Sequence, residues 1–156
     1  MKIAIIVPME EEAEFYKKHF KSENKEIFGT TEFDHFSVNG NDIYLGLSGI
    51  GKVNAAMNLT SLLTKEDIDL IFMTGSAGSL QEDVKRKDLI LPNKFMYYDA
   101  HNTSAGNYVE GQIPQEPAGY TLDNSFRTKF AAYLKEHDIP FKEGLIVTGD
   151  SFIASE

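Results

Sequence analysis

The sequence predicts a layered α/β fold built around a mixed β-sheet. Short apolar runs rich in β-branched residues, such as residues 2–7 (KIAIIV), are typical of strands covered on both faces. Segments with apolar residues at helical spacing alternate with these runs along the chain. The Asn39-Gly40 pair joins two of the runs and indicates a tight antiparallel hairpin within the sheet.

The first half of the chain is predicted to form five strands and two helices. The strands are expected at residues 2–7, 26–31, 33–38, 42–47 and 69–73. A helix is expected after Pro8, with one face formed by Met9, Ala13, Tyr16 and Phe20. A second helix is expected between residues 48–51 (SGIG) and about Thr64, with its inward face formed by Val53, Ala56 and Met57.

The second half is predicted to contain three strands, one helix and one long loop. The strands are expected at residues 88–91, 94–98 and 141–147. The helix is expected over residues 124–136, with one face formed by Phe126, Phe130, Tyr133 and Leu134. Residues 101–120 are polar and rich in glycine and proline, and loops of that length are usually functional or disordered.

Length and composition limit the classes of protein to consider. A chain of 156 residues with 42% hydrophobic residues predicts a single domain, residues 1–156, with a real core. Its 15 basic and 24 acidic residues give a net charge of -9, which argues against binding to nucleic acid or to anionic membranes. The sequence contains neither an apolar run long enough to span a bilayer nor a secretory signal. We therefore expect a cytoplasmic, enzyme-like domain.

Four unusual segments, residues 8–12, 48–51, 75–78 and 148–152, each follow a predicted strand. In open α/β sheets, ligands bind beyond the carboxyl ends of the strands. The sequence therefore predicts that these four segments line one pocket.

Three of these segments carry groups that could take part in catalysis or ligand binding. Acidic residues at 10–12 (EEE) are typical of the first turn of a helix, but one of them could instead serve as a general base that acts on water. Gly75 and Gly78 would let a ligand approach the backbone, with the Ser76 hydroxyl between them. Residues 49–54 (GIGKVN) resemble a dinucleotide fingerprint, but Asn54 replaces its third glycine. A tight strand-to-helix turn, or a helix start whose N–H groups face a polar ligand, is therefore favoured over dinucleotide binding.

Metal and thiolate chemistry have no support in the sequence. The four histidines have no metal-ligand spacing, and the chain contains no cysteine. No nucleophile elbow or phosphate-binding P-loop motif is present either. We therefore expect no metal site and no serine hydrolase.

Six stretches match one known family in order and spacing: residues 9–12 (MEEE), 48–56 (SGIGKVNAA), 74–78 (TGSAG), 98–100 (YDA), 111–114 (GQIP) and 148–153 (TGDSFI). The chain resembles the bacterial 5′-methylthioadenosine/S-adenosylhomocysteine nucleosidases of the nucleoside phosphorylase superfamily. The resemblance implies a three-layer αβα sandwich with a mixed central sheet, no cofactor, and a homodimer. It also implies hydrolysis of the N-glycosidic bond of both nucleosides, which releases adenine in methionine salvage and the methyl cycle.

The resemblance also implies roles for individual residues. Glu12 resembles the base that positions and activates water, and Ser76 resembles the serine that orients the family's catalytic aspartate. Phe152 resembles the aromatic residue stacked on adenine, and Ile153 the neighbour whose backbone reads the adenine edge. The remaining pocket residues are Met9 and Ile50 near the ribose and alkylthio end, Ala77 and Gly78 under the base, and Ile113 and Pro114 lent to the partner subunit.

The family pattern continues beyond a point equivalent to Glu156. By this resemblance, the chain as given is C-terminally truncated: it lacks the Glu-Met-Glu segment that grips the ribose and the aspartate that protonates the purine. We therefore expect the 156-residue chain alone to be inactive. Tyr108 is the nearest candidate for an aromatic residue that the family places in the loop lent to the partner.

Three alternatives remain at this stage. A phosphorylase of the same superfamily would use phosphate in place of water, but the acidic residues 10–12 favour water. A non-catalytic module would bind adenine nucleosides without turnover. A dinucleotide-dependent reductase is opposed by Asn54 and by Asp69, which precedes a predicted strand where the fingerprint needs an acid at its end.

Overall fold

The computed structural model describes residues 1–122 and 124–153. The chain divides into two compact units, Met1–Ala77 and Gly78–Glu156. No helix among the described residues is both long enough and apolar enough to cross a bilayer.

The first unit is a five-stranded sheet with two helices. Its elements are β1 (Lys2–Val7), α1 (Glu10–His19), β2 (Asn24–Phe28), β3 (Thr31–Val38), β4 (Asn41–Leu47), α2 (Lys52–Leu63) and β5 (Leu70–Met73). The strand order is β2-β3-β4-β1-β5, in which β4, β1 and β5 are parallel while β2, β3 and β4 are antiparallel. The predicted mixed sheet is thus confirmed, as is the hairpin, whose turn residues Asn39 and Gly40 both have positive φ.

Both faces of this sheet are covered by a helix, because its central strands carry apolar side chains in both directions. On one face Ala4 and Ile6 of β1 cluster with Leu62 of α2. On the other face Val7 clusters with Ala13 of α1. This unit therefore has three layers, helix, sheet and helix, which place strand ends and helix starts along one edge.

One glycine in β4 is needed for this packing. Gly46 pairs with Phe33 of β3, and the Phe33 ring occupies the space where a Cβ at position 46 would lie. Phe33 is fully buried and meets the ring of Phe28 edge to face, with 5.5 Å between centroids. Gly46 therefore makes room for the largest of the fully buried side chains.

The expected inward face of α2 is wrong. Val53 and Met57 are exposed, and Ala56 is exposed with them, whereas Asn58 and Leu62 are buried. The physical reason is that α2 carries apolar residues on two sides, so hydrophobic spacing alone selects the wrong one. The buried side contains a polar residue, Asn58, whose amide binds a backbone carbonyl next to the helix.

The second unit is a smaller mixed sheet with one helix. Its elements are β6 (Ile90–Tyr97), a 3-10 turn (Thr103–Ala105), β7 (Tyr120–Thr121), α3 (Ser125–Glu136) and β8 (Lys142–Thr148). The strand order is β7-β6-β8, with β6 antiparallel to β7 and parallel to β8.

The two strands expected at residues 88–91 and 94–98 are one continuous strand, β6. Pro92 has no N–H to donate to the ladder, yet the pairing with β8 continues across an irregularity between Pro92 and Lys94. Helix α3 begins one residue later than expected, because the Asn124 side chain caps it by accepting from the Arg127 N–H at 2.8 Å.

Candidate active site

The parallel strands of the first unit bring three of the four predicted segments to one edge. β1, β4 and β5 end at Val7, Leu47 and Met73, and Val7 is in register with Leu47. Because β5 also pairs with β1 in parallel, residues 8–12, 48–51 and 74–77 all leave the sheet at its carboxyl edge. Met9, Glu12, Ile50, Ser76 and Ala77 belong to these segments.

Glu12 makes the best-defined polar contacts of this edge. Its Oε1 accepts hydrogen bonds from the Ser76 backbone N–H at 2.6 Å and from the Ser76 hydroxyl at 2.7 Å. Its Oε2 accepts from the Met9 backbone N–H at 3.2 Å. Glu12 lies in the first turn of α1, where the helix dipole favours a carboxylate, and its side chain is half-buried. The structure thus links two distant segments through one oriented carboxylate.

Glycine at position 75 permits this contact. A Cβ added there would lie 3.1 Å from Oε1 of Glu12, closer than an ordinary van der Waals contact. The carboxylate therefore rests against bare backbone. A larger residue at this position would push the Glu12 side chain away from Ser76.

A buried side-chain amide forms a hydrogen bond with the segment after β4. The Asn58 Nδ2 group donates to the Ser48 carbonyl at 2.7 Å, and the Ser48 N–H donates to the Val7 carbonyl at 2.9 Å. Gly49 and Gly51 have φ values of 74° and 98°, a conformation that favours glycine. Between these glycines the Ile50 side chain is 73% exposed, so it is available to a ligand at this edge.

The second unit contains the other predicted pocket residues. Phe152 and Ile153 follow β8 in a segment without regular structure, and their side chains are 94% and 64% exposed. Gly78 begins this unit and is exposed. Ile113 is exposed and Pro114 is half-buried in the loop before β7.

That loop is tied down by several hydrogen bonds within residues 100–116. The Gly111 N–H donates to the Ala100 carbonyl at 3.0 Å, and the Asn102 amide donates to the Gln112 carbonyl at 2.8 Å. The Glu116 N–H donates to the Ile113 carbonyl at 3.0 Å. Of the two expectations for this segment, functional or disordered, these ties favour an ordered loop that presents Ile113 outward.

Three residues that contact the predicted segments had no role assigned from the sequence. Asn58 holds Ser48, while Tyr98 and Asp99 contact the segment after β8. The available signals were the asparagine at position 58, next to apolar residues of α2, and the Tyr98-Asp99 pair inside one of the matched motifs. Neither signal names the partner, because each contact joins residues far apart in sequence.

Among residues 1–122 and 124–153, no group of three or more His, Asp or Glu side chains could hold a metal ion. His101 pairs with Glu110 and His35 lies 3.4 Å from Asp42, so these two histidines face single carboxylates.

Comparison with known proteins places the chain in a class and then in a family. The sequence profile of the phosphorylase superfamily matches residues 2–156, so the chain belongs to that superfamily. Within it, the 5′-methylthioadenosine/S-adenosylhomocysteine nucleosidase of Staphylococcus epidermidis is 38% identical over 153 residues, covering 98% of this chain and 67% of that protein. The chain is therefore a member of the 5′-methylthioadenosine/S-adenosylhomocysteine nucleosidase family, and it spans about two thirds of the length of these relatives.

Solved structures agree with this assignment. The 5′-methylthioadenosine/S-adenosylhomocysteine nucleosidase of Helicobacter pylori, bound to a pyrrolidin-3-ol that carries a 4-amino-5H-pyrrolo[3,2-d]pyrimidin-7-yl group, matches with a TM-score of 0.93 and 26% identity, covering 100% of this chain and 67% of that one. A futalosine hydrolase mutant of the same organism matches with a TM-score of 0.92 and 26% identity, covering 100% and 71%. The predicted nucleoside phosphorylase-like fold is thus confirmed.

Proposed function

We propose that the full-length protein hydrolyses the N-glycosidic bond of 5′-methylthioadenosine and S-adenosylhomocysteine and releases adenine. Membership in the nucleosidase family supports this reaction. The observation that carries it is the Glu12 carboxylate, held by Ser76 at the carboxyl edge of the sheet. A carboxylate fixed at this edge is the group that a water-activating nucleosidase needs.

Glu12 has the capacity to hold a water molecule in addition to its protein partners. A carboxylate offers about four acceptor sites, and Ser76 and Met9 use three of them. The longest of the three bonds, 3.2 Å, falls on Oε2. In the proposal the ribosyl C–N bond breaks, and its electron pair leaves with adenine, which takes a proton from solvent. The negative charge of Glu12 stabilises the cation-like sugar, and Oε2 accepts a proton from the water that attacks the ribosyl carbon.

The remaining pocket residues are proposed to bind the nucleoside. Phe152 stacks on adenine, and the backbone of Ile153 contacts the edge of the base. Met9 and Ile50 contact the ribose and the alkylthio group, while Ala77 and Gly78 lie under the base. The exposed Phe152 ring supports the stacking role, because a ring available to solvent is available to a purine.

Charge at the sheet edge favours water over phosphate as the attacking group. Glu10, Glu11 and Glu12 occupy the first turn of α1, and the Lys17 ammonium is paired with Glu10 at 2.7 Å. Phosphate would be repelled by these carboxylates, whereas a neutral water molecule would not. Hydrolysis therefore fits this edge better than phosphorolysis.

The test is adenine release from 5′-methylthioadenosine by the full-length protein, with and without phosphate. We expect free 5-methylthioribose as the second product and no acceleration by phosphate. A rate that depends on phosphate would establish a phosphorylase. Adenine binding without turnover would establish a binding module, and cleavage of futalosine but not of 5′-methylthioadenosine would change the substrate.

We also propose that the protein is a homodimer in which the loop around Ile113 and Pro114 completes the alkylthio pocket of the partner. The ordered loop that presents Ile113 outward supports this role. The exposed apolar side chains of α2, including Val53 and Met57, support an interface, since clustered exposed apolar residues mark association surfaces. A cytoplasmic location stays a prediction from the sequence.

Sedimentation of the full-length protein tests the dimer. Met57→Lys is expected to produce monomers and to weaken activity, because a buried lysine destabilises an apolar interface. Ile27→Lys makes a similar change at an exposed residue of β2 and should leave the dimer intact. A monomeric, fully active wild-type protein would refute the proposed dimer.

A further inference from the structure

The segment that carries Phe152 is held by two consecutive residues at the end of β6. The segment, residues 149–153, follows β8 and has no regular secondary structure. Tyr98 and Asp99 directly follow β6, the strand that pairs with β8 in parallel. Parallel pairing therefore brings these two residues beside the segment.

Four contacts join Tyr98 and Asp99 to this segment and to the end of β8. The Tyr98 N–H donates to the Thr148 carbonyl at 3.0 Å, and the Tyr98 hydroxyl donates to the Ser151 carbonyl. The Asp99 Oδ2 accepts from the Asp150 N–H at 3.0 Å. The Tyr98 ring lies against Gly149, in the space that a Cβ would occupy.

The three hydrogen bonds restrain three of the four peptide units between Thr148 and Phe152. An exposed segment without regular structure has little packing to fix its backbone, and exposed side chains add little more. Hydrogen bonds to its N–H and C=O groups are then the main restraint on where residue 152 points. The bond to Asp99 is charge-assisted, which makes it stronger than a neutral hydrogen bond.

We infer that Tyr98 and Asp99 are positioning residues that fix the backbone of residues 148–151 so that Phe152 and Ile153 meet the adenine ring. This inference rests on the proposed function, since it assigns adenine to Phe152. Neither residue acts on the reacting bond in this account. Their contribution is to substrate binding, because an ordered segment loses less conformational freedom when the base binds.

Two substitutions separate this role from a general effect on folding. Tyr98→Phe removes the hydroxyl bond to Ser151 but keeps the ring against Gly149. Asp99→Ala removes the acceptor for the Asp150 N–H, and Asp99→Asn restores an acceptor oxygen without the charge. Tyr120→Phe serves as the control, because it removes a hydroxyl bond to Glu116 from β7, on the opposite edge of the same sheet.

The measurements are KM and kcat for 5′-methylthioadenosine, the Kd of adenine by calorimetry, and Tm, all with the full-length protein. We expect Tyr98→Phe and Asp99→Ala to raise KM and the adenine Kd about tenfold, with a smaller change in kcat and little change in Tm. Asp99→Asn should recover most of the binding, and Tyr120→Phe should match the wild type.

The outcomes distinguish this inference from the proposed function. A wild-type protein that cleaves 5′-methylthioadenosine, with unchanged KM and adenine Kd in both variants, would overturn only the positioning role. Losses confined to kcat, or losses that follow a fall in Tm, would also overturn it. A wild-type protein that neither cleaves the nucleoside nor binds adenine would overturn the proposed function, and the inference with it.

Discussion

In the first unit, the strand that leads to Glu12 is packed by a helix on each face, whereas in the second unit β8, which leads to Phe152, has no buried residue. Packing fixes the backbone near Glu12, so three hydrogen bonds suffice to orient its carboxylate. The segment with Phe152 depends instead on contacts with Tyr98 and Asp99. Under the proposed function this contrast is a division of tasks: Glu12, on well-packed backbone, activates water, and Phe152, on a segment held by hydrogen bonds, binds adenine.

Substitution of the proposed base should have the largest effect. Glu12→Gln keeps an acceptor oxygen for Ser76 but cannot take a proton from water, so kcat should fall by about 10² to 10⁴. Adenine binding should change little, because the base is assigned to the other unit. Glu11→Gln alters an exposed carboxylate in the same turn and should retain activity. Equal losses in both variants would contradict the role of Glu12.

The next largest effect is expected on stability. Phe33→Ala empties a fully buried site in the first unit and should reduce the free energy of unfolding by about 3–5 kcal/mol. Phe126→Ala makes the same change on α3 in the second unit, where the side chain is 37% exposed, and should be clearly milder. Urea unfolding monitored by circular dichroism measures both. Similar losses of stability in the two variants would contradict the inferred difference in packing between the units.

Truncation of the stacking ring should affect binding more than chemistry. Base–aromatic stacking contributes about 1–3 kcal/mol per base, so Phe152→Ala should raise KM by roughly 10- to 100-fold. Its Tm should match the wild type, because the ring is almost fully exposed. Phe15→Ala, at another exposed phenylalanine, is the control. A fall in kcat at constant KM would reverse the proposed division of tasks.

The smallest effect concerns acid stability of the second unit. The hydrogen bond from the Lys85 N–H and then the bond from the Lys142 ammonium lower the pKa of Asp88. A lowered pKa in the folded state means that this stabilisation is complete above the ordinary value of about 3.9 and is lost as pH falls through the lowered pKa. Asp88→Asn should therefore flatten the decline of Tm below about pH 4.

Asp83→Asn is the matched control for this measurement. The Asp83 carboxylate is 3.8 Å from the Lys142 ammonium, compared with 2.9 Å for that of Asp88. Substitution of Asp83 should therefore change the decline of Tm at acidic pH less than Asp88→Asn does. A larger change for Asp83→Asn would show that Asp88 is not the group that responds.

Hydrophobic runs and turn residues were enough to predict the order of strands and helices in the first unit. The hairpin at Asn39 and Gly40 and the placement of Glu12 after β1 are local features, each encoded by neighbouring residues. The exact ends of the strands were harder to predict. β2 spans Asn24–Phe28 rather than residues 26–31, and it ends at Phe28 because the turn after it uses Gly29, whose φ is 64°.

The remaining features depend on contacts between distant residues. The sequence predicted separate strands at residues 88–91 and 94–98, but pairing with β8 joins them into the single strand β6. Which side of α2 faces inward depends on its contacts with the sheet and with the segment after β4, where the Ser48 carbonyl accepts a hydrogen bond from Asn58. The contacts of Tyr98 and Asp99 arise only when residues about 50 positions apart become neighbours. Local sequence patterns contain no information about such partners.

The fit between Gly46 and Phe33 limits how this core can be altered by directed evolution. A library that randomises position 46 alone would recover mainly glycine, because any Cβ there meets the phenylalanine ring. A library that varies both positions together opens other solutions, such as alanine at 46 opposite leucine at 33, since total volume is then conserved. Positions 33 and 46 can therefore change only together.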